Sequence, residues 1–358
     1  MPEPADIAIF LPNPVGDVVM ATPALRAARE HFASARITYV GRASALAVLE
    51  GTNWADEMIL SRPDGLRGAL ATARILRKRR RDLGILLPNS FRCAAMCALA
   101  RIRRRAGYVR DGRGWLLTDR LRPERLADGR CKPVPQIDYY ARLAEFVGAP
   151  VRSRRMELPV TETDERAAET LLSEAGINRA RPVVMLNPGA AFGVSKMWEP
   201  ERFAAVADAL VESRGAQILL NAAPMDFERR VAERVQKAMR HAPLLNFARR
   251  DNTLGLLKSL VRRCDLMITN DTGPRHFAAA FGIGLVTIFG STDPVWAQID
   301  CPSERTIRVD LPCSPCQRKL CPQPPGPQYH QCMSAIPPES VLHAACELLD
   351  ERAKGGGA

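Results

Sequence analysis

The chain has 358 residues, of which 46% are hydrophobic and 25% charged, a composition typical of a globular protein long enough for two domains. Its start lacks the basic segment and apolar run of a signal peptide, and no stretch approaches the ~20 apolar residues of a membrane-spanning helix, so we expect a cytoplasmic protein. Lysine and arginine number 51 against 39 aspartate and glutamate, and the net charge of +12 predicts an anionic partner.

The first half of the chain alternates short apolar runs with helical patterns. Strands are predicted at residues 7–11, 36–40, 57–60 and 83–88, and helices at Val18–Phe32, Ser44–Leu49, Leu66–Lys78 and Arg92–Ala100. Thr22-Pro23 predicts that the first helix either restarts or kinks there. Residues 107–160 are rich in proline, glycine and arginine and predict one helix only, Tyr139–Val147.

The pattern resumes after a seam near residues 160–181. Strands are predicted at 182–189, 216–224, 266–270 and 285–290, and helices at Asp164–Ala175, Pro200–Arg214, Phe227–Met239, Leu254–Arg263, Pro274–Phe281 and Pro338–Glu351, before a disordered stretch at 353–358. Strands that alternate with helices indicate parallel sheets. The sequence therefore predicts an α/β protein with two Rossmann-like, doubly wound domains that face a central cleft.

Two arginine-rich runs, residues 77–81 and 101–105, concentrate positive charge in the first half. They favour nucleic acid, phospholipid or a phosphorylated substrate as partner, and a solvated helix face is the alternative for each run. The chain has no recognised nucleic-acid-binding module, and only 6% of its residues are aromatic, so base stacking is not expected. A basic nucleic-acid-binding protein without enzymatic activity is the distant alternative.

The segment Leu266–Pro294 carries the sharpest motif, a strand followed by Asp271, Thr272 and Gly273 and then a helix. The helix N-terminus is predicted to offer the backbone N–H groups of Thr272, Gly273 and Arg275 to a phosphate, with His276 facing the same opening. The alternative is an ordinary helix capped by Asp271 or Thr272, which is the commoner arrangement.

A second loop follows the strand at 182–189. Gly189 would let a ligand approach the backbone closely, and Lys196 supplies a cation suited to a diphosphate. Phe192 or Trp198 could stack on a base, but core packing is favoured for Trp198.

A third loop joins the first strand to the first helix through Gly16 and Asp17. Gly16 is predicted to permit a tight or positive-φ turn and close approach by a substrate. Local physics favours Asp17 as the cap of the helix, where the dipole stabilises a carboxylate.

Four cysteines crowd into one segment, at Cys313, Cys316, Cys321 and Cys332. The first pair has the spacing of a structural zinc site, whereas the second pair is spaced irregularly for zinc, so free thiols in a proline-rich loop are an equal alternative.

Three motifs together, with "LLPNSF" at Leu86–Phe91, resemble the ADP-heptose:lipopolysaccharide heptosyltransferases of glycosyltransferase family 9, and most of all the heptosyltransferase II type. These motifs are "PNPVGDVVMATPALRAARE", "NPGAAFGVSKMWEPERFA" and "NDTGPRHFAAAFGIGLVTIFGSTDP". The resemblance implies the GT-B fold, with an acceptor-binding domain at 1–163 and a nucleotide-sugar-binding domain at 164–337. Residues 338–358 would form a last helix, for which packing on the N-terminal domain is one alternative, and a tail.

The resemblance also implies roles for residues. Asp17 would be the general base beside Gly16, Lys196 would contact the diphosphate near Gly189, and Asp271, Thr272 and Gly273 would bind diphosphate and sugar with His276 nearby. The partners would be an ADP-heptose donor, a lipid A-linked core oligosaccharide acceptor and the anionic inner surface of the inner membrane, with no nucleic acid.

The implied reaction is an inverting transfer of heptose to the heptosyl/Kdo inner core. The sequence holds no Asp-x-Asp motif, so we expect metal independence and no cofactor, since preorganised charge can stabilise the leaving diphosphate instead. A related glycosyltransferase that uses another nucleotide-sugar or glycan acceptor is the alternative.

Overall fold

The computed structural model describes residues 3–62 and 65–355. The chain divides into two compact units, one formed by Met1–Pro159 with Val295–Asp300 and the other by Val160–Pro294 with Cys301–Ala358. The division at residue 160 falls within the predicted seam. The assignment of residues 295–300 to the first unit is a feature that the sequence does not predict.

The first unit contains a six-stranded parallel sheet in the order β3-β2-β1-β4-β5-β6. Its strands are β1 (Asp6–Phe10), β2 (Arg36–Gly41), β3 (Glu57–Leu60), β4 (Leu83–Leu86), β5 (Arg104–Tyr108) and β6 (Asp119–Leu121). Its helices are α1 (Val15–Met20), α2 (Thr22–His31), α3 (Ala43–Leu49), α4 (Gly65–Arg77), α5 (Phe91–Leu99) and α6 (Gln136–Phe146).

The second unit contains a second six-stranded parallel sheet, in the order β12-β11-β10-β7-β8-β9. Its strands are β7 (Val183–Asn187), β8 (Gln217–Leu220), β9 (Leu245–Asn246), β10 (Leu266–Asn270), β11 (Gly284–Ile288) and β12 (Glu304–Ile307). Its helices are α7 (Glu162–Glu174), α8 (Pro200–Arg214), α9 (Asp226–Ala238), α10 (Leu254–Arg262), α11 (Gly273–Phe281), α12 (Gln331–Ser334) and α13 (Pro338–Gly355).

Both sheets have the same winding. In each, the first strand of the unit lies at the centre beside the second and the fourth, which is the 3-2-1-4-5-6 order of a doubly wound Rossmann fold. The order reverses between β1 and β4 in the first unit and between β7 and β10 in the second. The predicted pair of doubly wound sheets is therefore confirmed.

The central strands are mostly apolar and are buried along their whole length, as expected where helices cover both faces of a parallel sheet. Every residue of β1, β4, β7 and β10 is buried. Both sheets are thus buried at their centres. The loops at the carboxyl ends of their strands carry the polar side chains described below.

The helix predicted at Val18–Phe32 is two helices, because α1 ends at Met20 and α2 begins at Thr22 with Pro23 in its first turn. The Thr22 hydroxyl donates to the carbonyl of Val19 at 2.7 Å and so closes the end of α1. Thr22-Pro23 therefore restarts the helix instead of kinking it.

Strands β5, β6, β9 and β12 have no predicted counterpart. All four are short, β5, β6 and β12 carry charged residues, and their pairing depends on contacts that a local pattern does not show. Arg104 in β5, for example, binds Asp119 in β6 through Nη2 and Oδ1 at 2.7 Å. The helix predicted at Tyr139–Val147 begins earlier, at Gln136.

The first arginine run is not simply a solvated helix face. Arg81 is buried, and its Nη1 binds Asp6 Oδ1 at 2.6 Å and the hydroxyl of Thr38 at 2.9 Å. In the second run, Arg104 and Arg105 lie in β5. Part of the charge that favours an anionic partner is therefore used within the first unit.

The last helix, α13, packs on α8 and β11 of the second unit. The helix continues to Gly355, so residues 353–355 of the stretch predicted as disordered are helical, and 356–358 lie outside the described residues. Among the residues described, none of the helices is both long and apolar enough to cross a membrane.

Candidate functional site

The predicted site residues lie at the two points where the strand order reverses. Gly16 and Asp17 are in α1, directly after β1. The loop with Gly189 and Lys196 follows β7, and residues 271–276 follow β10. Open α/β sheets bind ligands at such points, beyond the carboxyl ends of their strands. Because β7 and β10 are neighbours, the structure brings the two loops of the second unit together.

The contact between these two loops is an ion pair. Lys196 Nζ lies 2.6 Å from Asp271 Oδ2 and 3.0 Å from the Asp271 carbonyl oxygen, and both side chains are largely shielded from solvent. The hydroxyl of Thr292 donates to the same Oδ2 at 2.8 Å. The pair therefore fixes a cation and a carboxylate at the reversal point of the second sheet.

The charge on Asp271 is held in place by its surroundings. Burial acts to raise the pKa of this carboxyl, but the charges of Lys196 and Arg275 outweigh it and hold the pKa below its ordinary value. Asp271 is therefore ionised at neutral pH, and it neutralises the charge of Lys196.

The N-terminus of α11 lies beside this pair. Thr272 is in the N-cap position, but its side chain makes no capping hydrogen bond, so the ordinary cap is not formed. The N–H of Arg275 is not available as predicted, because it donates to the Thr272 carbonyl at 3.1 Å. The N–H groups of Thr272 and Gly273 and the Thr272 hydroxyl are thus the groups that this helix end could offer to an anion.

The side chain of Arg275 turns away from an anion-binding role. It is buried, and its Nε and Nη2 bind Glu304 at 2.7 and 2.9 Å. The hydroxyl of Thr287 donates to the same carboxylate at 2.6 Å, and the guanidinium lies 5.1 Å from the centre of the Phe289 ring. Arg275 therefore ties α11 to β11 and β12.

His276 is 4% exposed and lies in the field of Lys196, Asp271 and Arg275. Burial, reinforced by the Arg275 charge, lowers the pKa of the imidazole to about 3, so the ring is neutral at neutral pH. Its Nδ1 has no hydrogen-bond partner among the described residues. His276 thus belongs to the site but is buried within it instead of facing an opening.

We expect His276 to make the protein less stable in mild acid. The unfolded chain binds a proton near pH 6.5 whereas the folded ring stays neutral, so the free energy of unfolding should fall from about pH 6.5 towards pH 4.5. Asp271 acts in the same direction only below its ordinary value of 3.8, and so outside this window. Urea unfolding over this range should show a slope that His276→Gln reduces.

His343→Gln is the matched control, because His343 is exposed on α13. An unchanged slope in His276→Gln would contradict the assignment. If that variant does not fold, NMR titration of the wild type provides the same test, since the His276 imidazole should not titrate between about pH 5 and 8.

Position 189 requires a glycine because a side chain that the sequence does not reveal as a neighbour lies close to its backbone. A Cβ on Gly189 would lie 2.2 Å from Oε2 of Glu228, a buried residue in the first turn of α9. Burial raises the pKa of Glu228, and its carboxylate accepts a hydrogen bond from the Ala223 N–H at 3.3 Å. The loop after β7 and the loop after β8 thus meet around a carboxylate.

A chain of buried amides joins the loops of the second unit. Asn252 Nδ2 donates to Asn221 Oδ1 at 2.6 Å, and Asn221 Nδ2 donates to Asn187 Oδ1 at 2.7 Å. Asn270 Nδ2 donates to the carbonyl of Pro188 at 2.7 Å. These contacts fix the ends of β7, β8 and β10 relative to one another, and no local motif indicates them.

The two aromatic residues of the loop after β7 have different surroundings. Trp198 is fully buried, and its indole N–H donates to the Ile336 carbonyl at 3.1 Å, so the favoured core packing is confirmed. Phe192 is partly exposed, and the centre of its ring lies 4.8 Å from Lys196 Nζ. Phe192 is therefore the aromatic ring beside the ion pair.

The cysteine-rich segment supports the Lys196 loop. The Ser195 N–H donates to the Lys319 carbonyl at 3.2 Å, and the Ser195 hydroxyl bonds to the Arg318 carbonyl. A Cβ on Gly193, which has a φ of +154°, would lie 2.5 Å from the Lys319 carbonyl oxygen. The segment thus fixes the backbone directly before Lys196.

The four cysteines of this segment surround one cavity of about 10 Å³, together with His330. Burial raises the pKa of Cys332 to about 11, and the neighbouring Cys316 and Cys313 act in the same direction, so Cys332 is not a reactive thiolate. No group of three histidine, cysteine or acidic side chains in the described part of the chain is arranged to hold a metal ion. None of the four forms a disulfide bond with another described residue.

In the first unit, Asp17 is the third residue of α1, and Pro14 holds the N-cap position without a side-chain hydrogen bond. The prediction that Asp17 caps the helix is therefore wrong. Gly16 is the second helical residue and does not adopt the positive φ that was one of its two predicted alternatives, because α1 begins earlier than its apolar pattern suggests.

Asp17 lies near α6, which packs on α1. The pKa of Tyr140 on α6 is raised first by burial and then by the charge of Asp17. Next to it, the Tyr139 hydroxyl donates to Asn89 Oδ1 at 2.9 Å, which ties the loop after β4 to α6. A carboxylate thus stands at the reversal point of the first sheet.

The two units offer complementary chemistry. The second presents a lysine, a helix N-terminus and a hydroxyl, which together can stabilise a developing negative charge. The first unit presents the partly exposed carboxylate of Asp17, which can accept a proton.

Comparison with known proteins identifies the family of this chain. The family model "Glycosyltransferase family 9 (heptosyltransferase)" matches residues 69–326. Lipooligosaccharide heptosyltransferase 2 of Campylobacter jejuni is 26% identical over 350 residues, which cover 96% of this chain and 98% of that protein.

Two solved structures share the fold over nearly the whole chain. A family 9 glycosyltransferase from Veillonella parvula superposes with a TM-score of 0.81 at 23% identity, covering 97% of both chains. The ADP-heptose lipopolysaccharide heptosyltransferase II of Escherichia coli superposes with a TM-score of 0.77 at 24% identity, covering 97% of this chain and 99% of that one. The expected GT-B fold is thereby confirmed.

Proposed function

The chain belongs to glycosyltransferase family 9, the heptosyltransferase family, and on that premise we propose that it transfers heptose from ADP-heptose in lipopolysaccharide core biosynthesis. The proposed donor is ADP-L-glycero-D-manno-heptose, and the proposed acceptor is the heptosyl/Kdo inner core on lipid A. The observation that carries this proposal is the family match over most of the chain, and the ion pair at the reversal point of the second sheet supports it.

We assign the donor to the second unit. The N-terminus of α11, the Thr272 hydroxyl and Lys196 would contact the diphosphate, and Asp271 would hold Lys196 until the diphosphate competes for it. As the bond to the anomeric carbon breaks, negative charge grows on the leaving ADP, and these fixed groups stabilise it without a metal ion.

We assign the acceptor to the first unit. Asp17 would accept the proton of the attacking hydroxyl, which attacks from the face opposite the leaving ADP, so the anomeric configuration inverts. Because the acceptor is carried on lipid A, the protein would work at the anionic inner surface of the membrane, to which its basic residues are attracted.

The direct test combines the purified protein with ADP-heptose and a defined lipid A-linked acceptor. Mass spectrometry should show the addition of one heptosyl residue, and NMR should show an inverted anomeric configuration. Transfer should persist in EDTA, as metal independence requires. Transfer from a different nucleotide-sugar alone would favour the related-glycosyltransferase alternative, and absence of transfer from any donor would overturn the proposal.

The position of Glu228 leads to a prediction about donor binding. A carboxylate against the Gly189 loop can accept hydrogen bonds from the sugar hydroxyls of a nucleotide, and such bonds to charged groups are the stronger ones. Glu228→Gln should weaken ADP binding by roughly tenfold or more in titration calorimetry. The melting temperature should stay the same or rise, because the change removes a buried carboxylate.

Glu233→Gln is the matched control, because Glu233 lies on the same helix and is exposed. Wild-type ADP affinity in Glu228→Gln would show that Glu228 only packs against the loop.

A further inference from the structure

The first unit contains a cavity of about 320 Å³ that the proposed roles do not use. It lies at the carboxyl ends of β5 and β6, where Tyr108 and Leu121 end their strands and Arg110 and Arg122 follow. We call it the β5–β6 pocket. It is therefore on the same edge of the sheet as the loops after β1 and β4, the edge at which parallel sheets bind ligands.

One wall of the β5–β6 pocket is aromatic. Tyr108 and Tyr139 stack with ring centres 3.8 Å apart and planes at 13°. Trp296 also lines the cavity, and its carbonyl accepts the Gln136 N–H at 3.0 Å, which joins residues 295–300 to α6. Aromatic faces with a few polar groups are the common lining of small-molecule sites.

The lining also contains charged side chains, among which positive charge is in excess. Glu124 binds Lys132 at 3.2 Å and Arg142 at 2.7 Å, and Glu145 binds Arg154 at 3.2 Å, so both carboxylates already have cationic partners.

Arg110 and Arg122 differ from these residues, because neither makes an ion pair among the described residues. The Arg110 side chain bonds to the hydroxyl of Tyr139, and Arg122 is exposed at the rim. Two guanidinium groups at the mouth of an aromatic cavity are suited to bind carboxylate or phosphate oxygens.

We propose that the β5–β6 pocket binds an acidic sugar unit of the acceptor, with its ring against the partly exposed Trp296 and its anionic group on Arg110 and Arg122. This inference rests on the proposed function and extends it, because it assigns acceptor recognition to particular residues. Helix α6 joins the pocket to the proposed base, since Tyr139 lines the pocket and the next residue, Tyr140, lies near Asp17.

The test is the double variant Arg110→Gln/Arg122→Gln, assayed with ADP-heptose and the acidic acceptor. The KM for the acceptor should rise by roughly tenfold to a hundredfold, because two charged hydrogen-bond donors are lost. The KM for ADP-heptose and the melting temperature should not change. Arg130→Gln is the matched control, since Arg130 is an exposed arginine of the same unit that does not line the pocket.

Two further acceptors identify the anionic group. If the pocket binds the phosphate, removal of phosphate from the acceptor should abolish the difference in acceptor KM between wild type and the double variant. If the pocket binds the carboxylate, reduction of the carboxylate should abolish that difference instead. Wild-type acceptor KM in the double variant, or an equal loss in Arg130→Gln, would overturn the inference.

Failure of the proposed function is a separate result. If the wild type transfers no heptose, calorimetric titration with the acidic oligosaccharide alone still examines the pocket. Binding by the wild type that the double variant lacks would support the pocket by itself, and equal binding by both would overturn it.

Discussion

Asp17→Asn should fold with the melting temperature of the wild type, bind ADP normally and fail to transfer sugar. We expect turnover to fall by roughly 10²–10⁴-fold, because asparagine keeps the shape of the side chain but cannot take the proton of the acceptor hydroxyl. Asp17 is the third residue of α1 and does not cap it, so little helix stability depends on its charge. Loss of its interaction with the helix dipole would cost only about 0.3–1 kcal/mol.

A steady-state assay with saturating ADP-heptose measures this loss, and calorimetry with ADP confirms that donor binding is retained. Glu162→Gln is the matched control, because Glu162 is an acidic residue in the first turn of α7 with no proposed role. Near wild-type turnover in Asp17→Asn would remove the residue from the mechanism, and another base in the first unit would have to be found.

The sequence predicts the parts of this molecule that depend on local pattern. Apolar runs buried on both faces mark the central strands, and the loops that follow β1, β7 and β10 carry the predicted site residues because parallel sheets place all their carboxyl ends at one edge. The contact between Lys196 and Asp271 follows from the neighbouring positions of β7 and β10, which the sequence alone does not give.

The features that the sequence misses depend on long-range packing. Glu228 has no motif of its own, and it becomes important only because α9 places it against Gly189. The N–H of Arg275 is predicted to meet a phosphate, but it bonds to the Thr272 carbonyl, and the Arg275 guanidinium binds Glu304 in the unpredicted strand β12. The β5–β6 pocket is missed for the same reason, since both of its strands are short and polar.

Lys196→Ala should lower kcat by roughly a hundredfold to a thousandfold, the loss seen when one preorganised donor to a developing oxyanion is removed. If Lys196 stabilises the leaving diphosphate, kcat should fall more than the KM for ADP-heptose rises, because the charge it meets is largest in the transition state. The variant should also be less stable, since Asp271 is buried and would keep only Arg275, at 3.9 Å, as a nearby cation.

Loss of stability and loss of chemistry can be separated with a second variant. Lys196→Ala/Asp271→Asn removes both charges of the buried pair, so its melting temperature should recover towards that of the wild type. Its turnover should stay low, because the diphosphate still lacks its cation. Recovery of turnover together with stability would mean that Lys196 acts by holding the loop after β7 in place, and unchanged kinetics in Lys196→Ala would remove it from the site altogether.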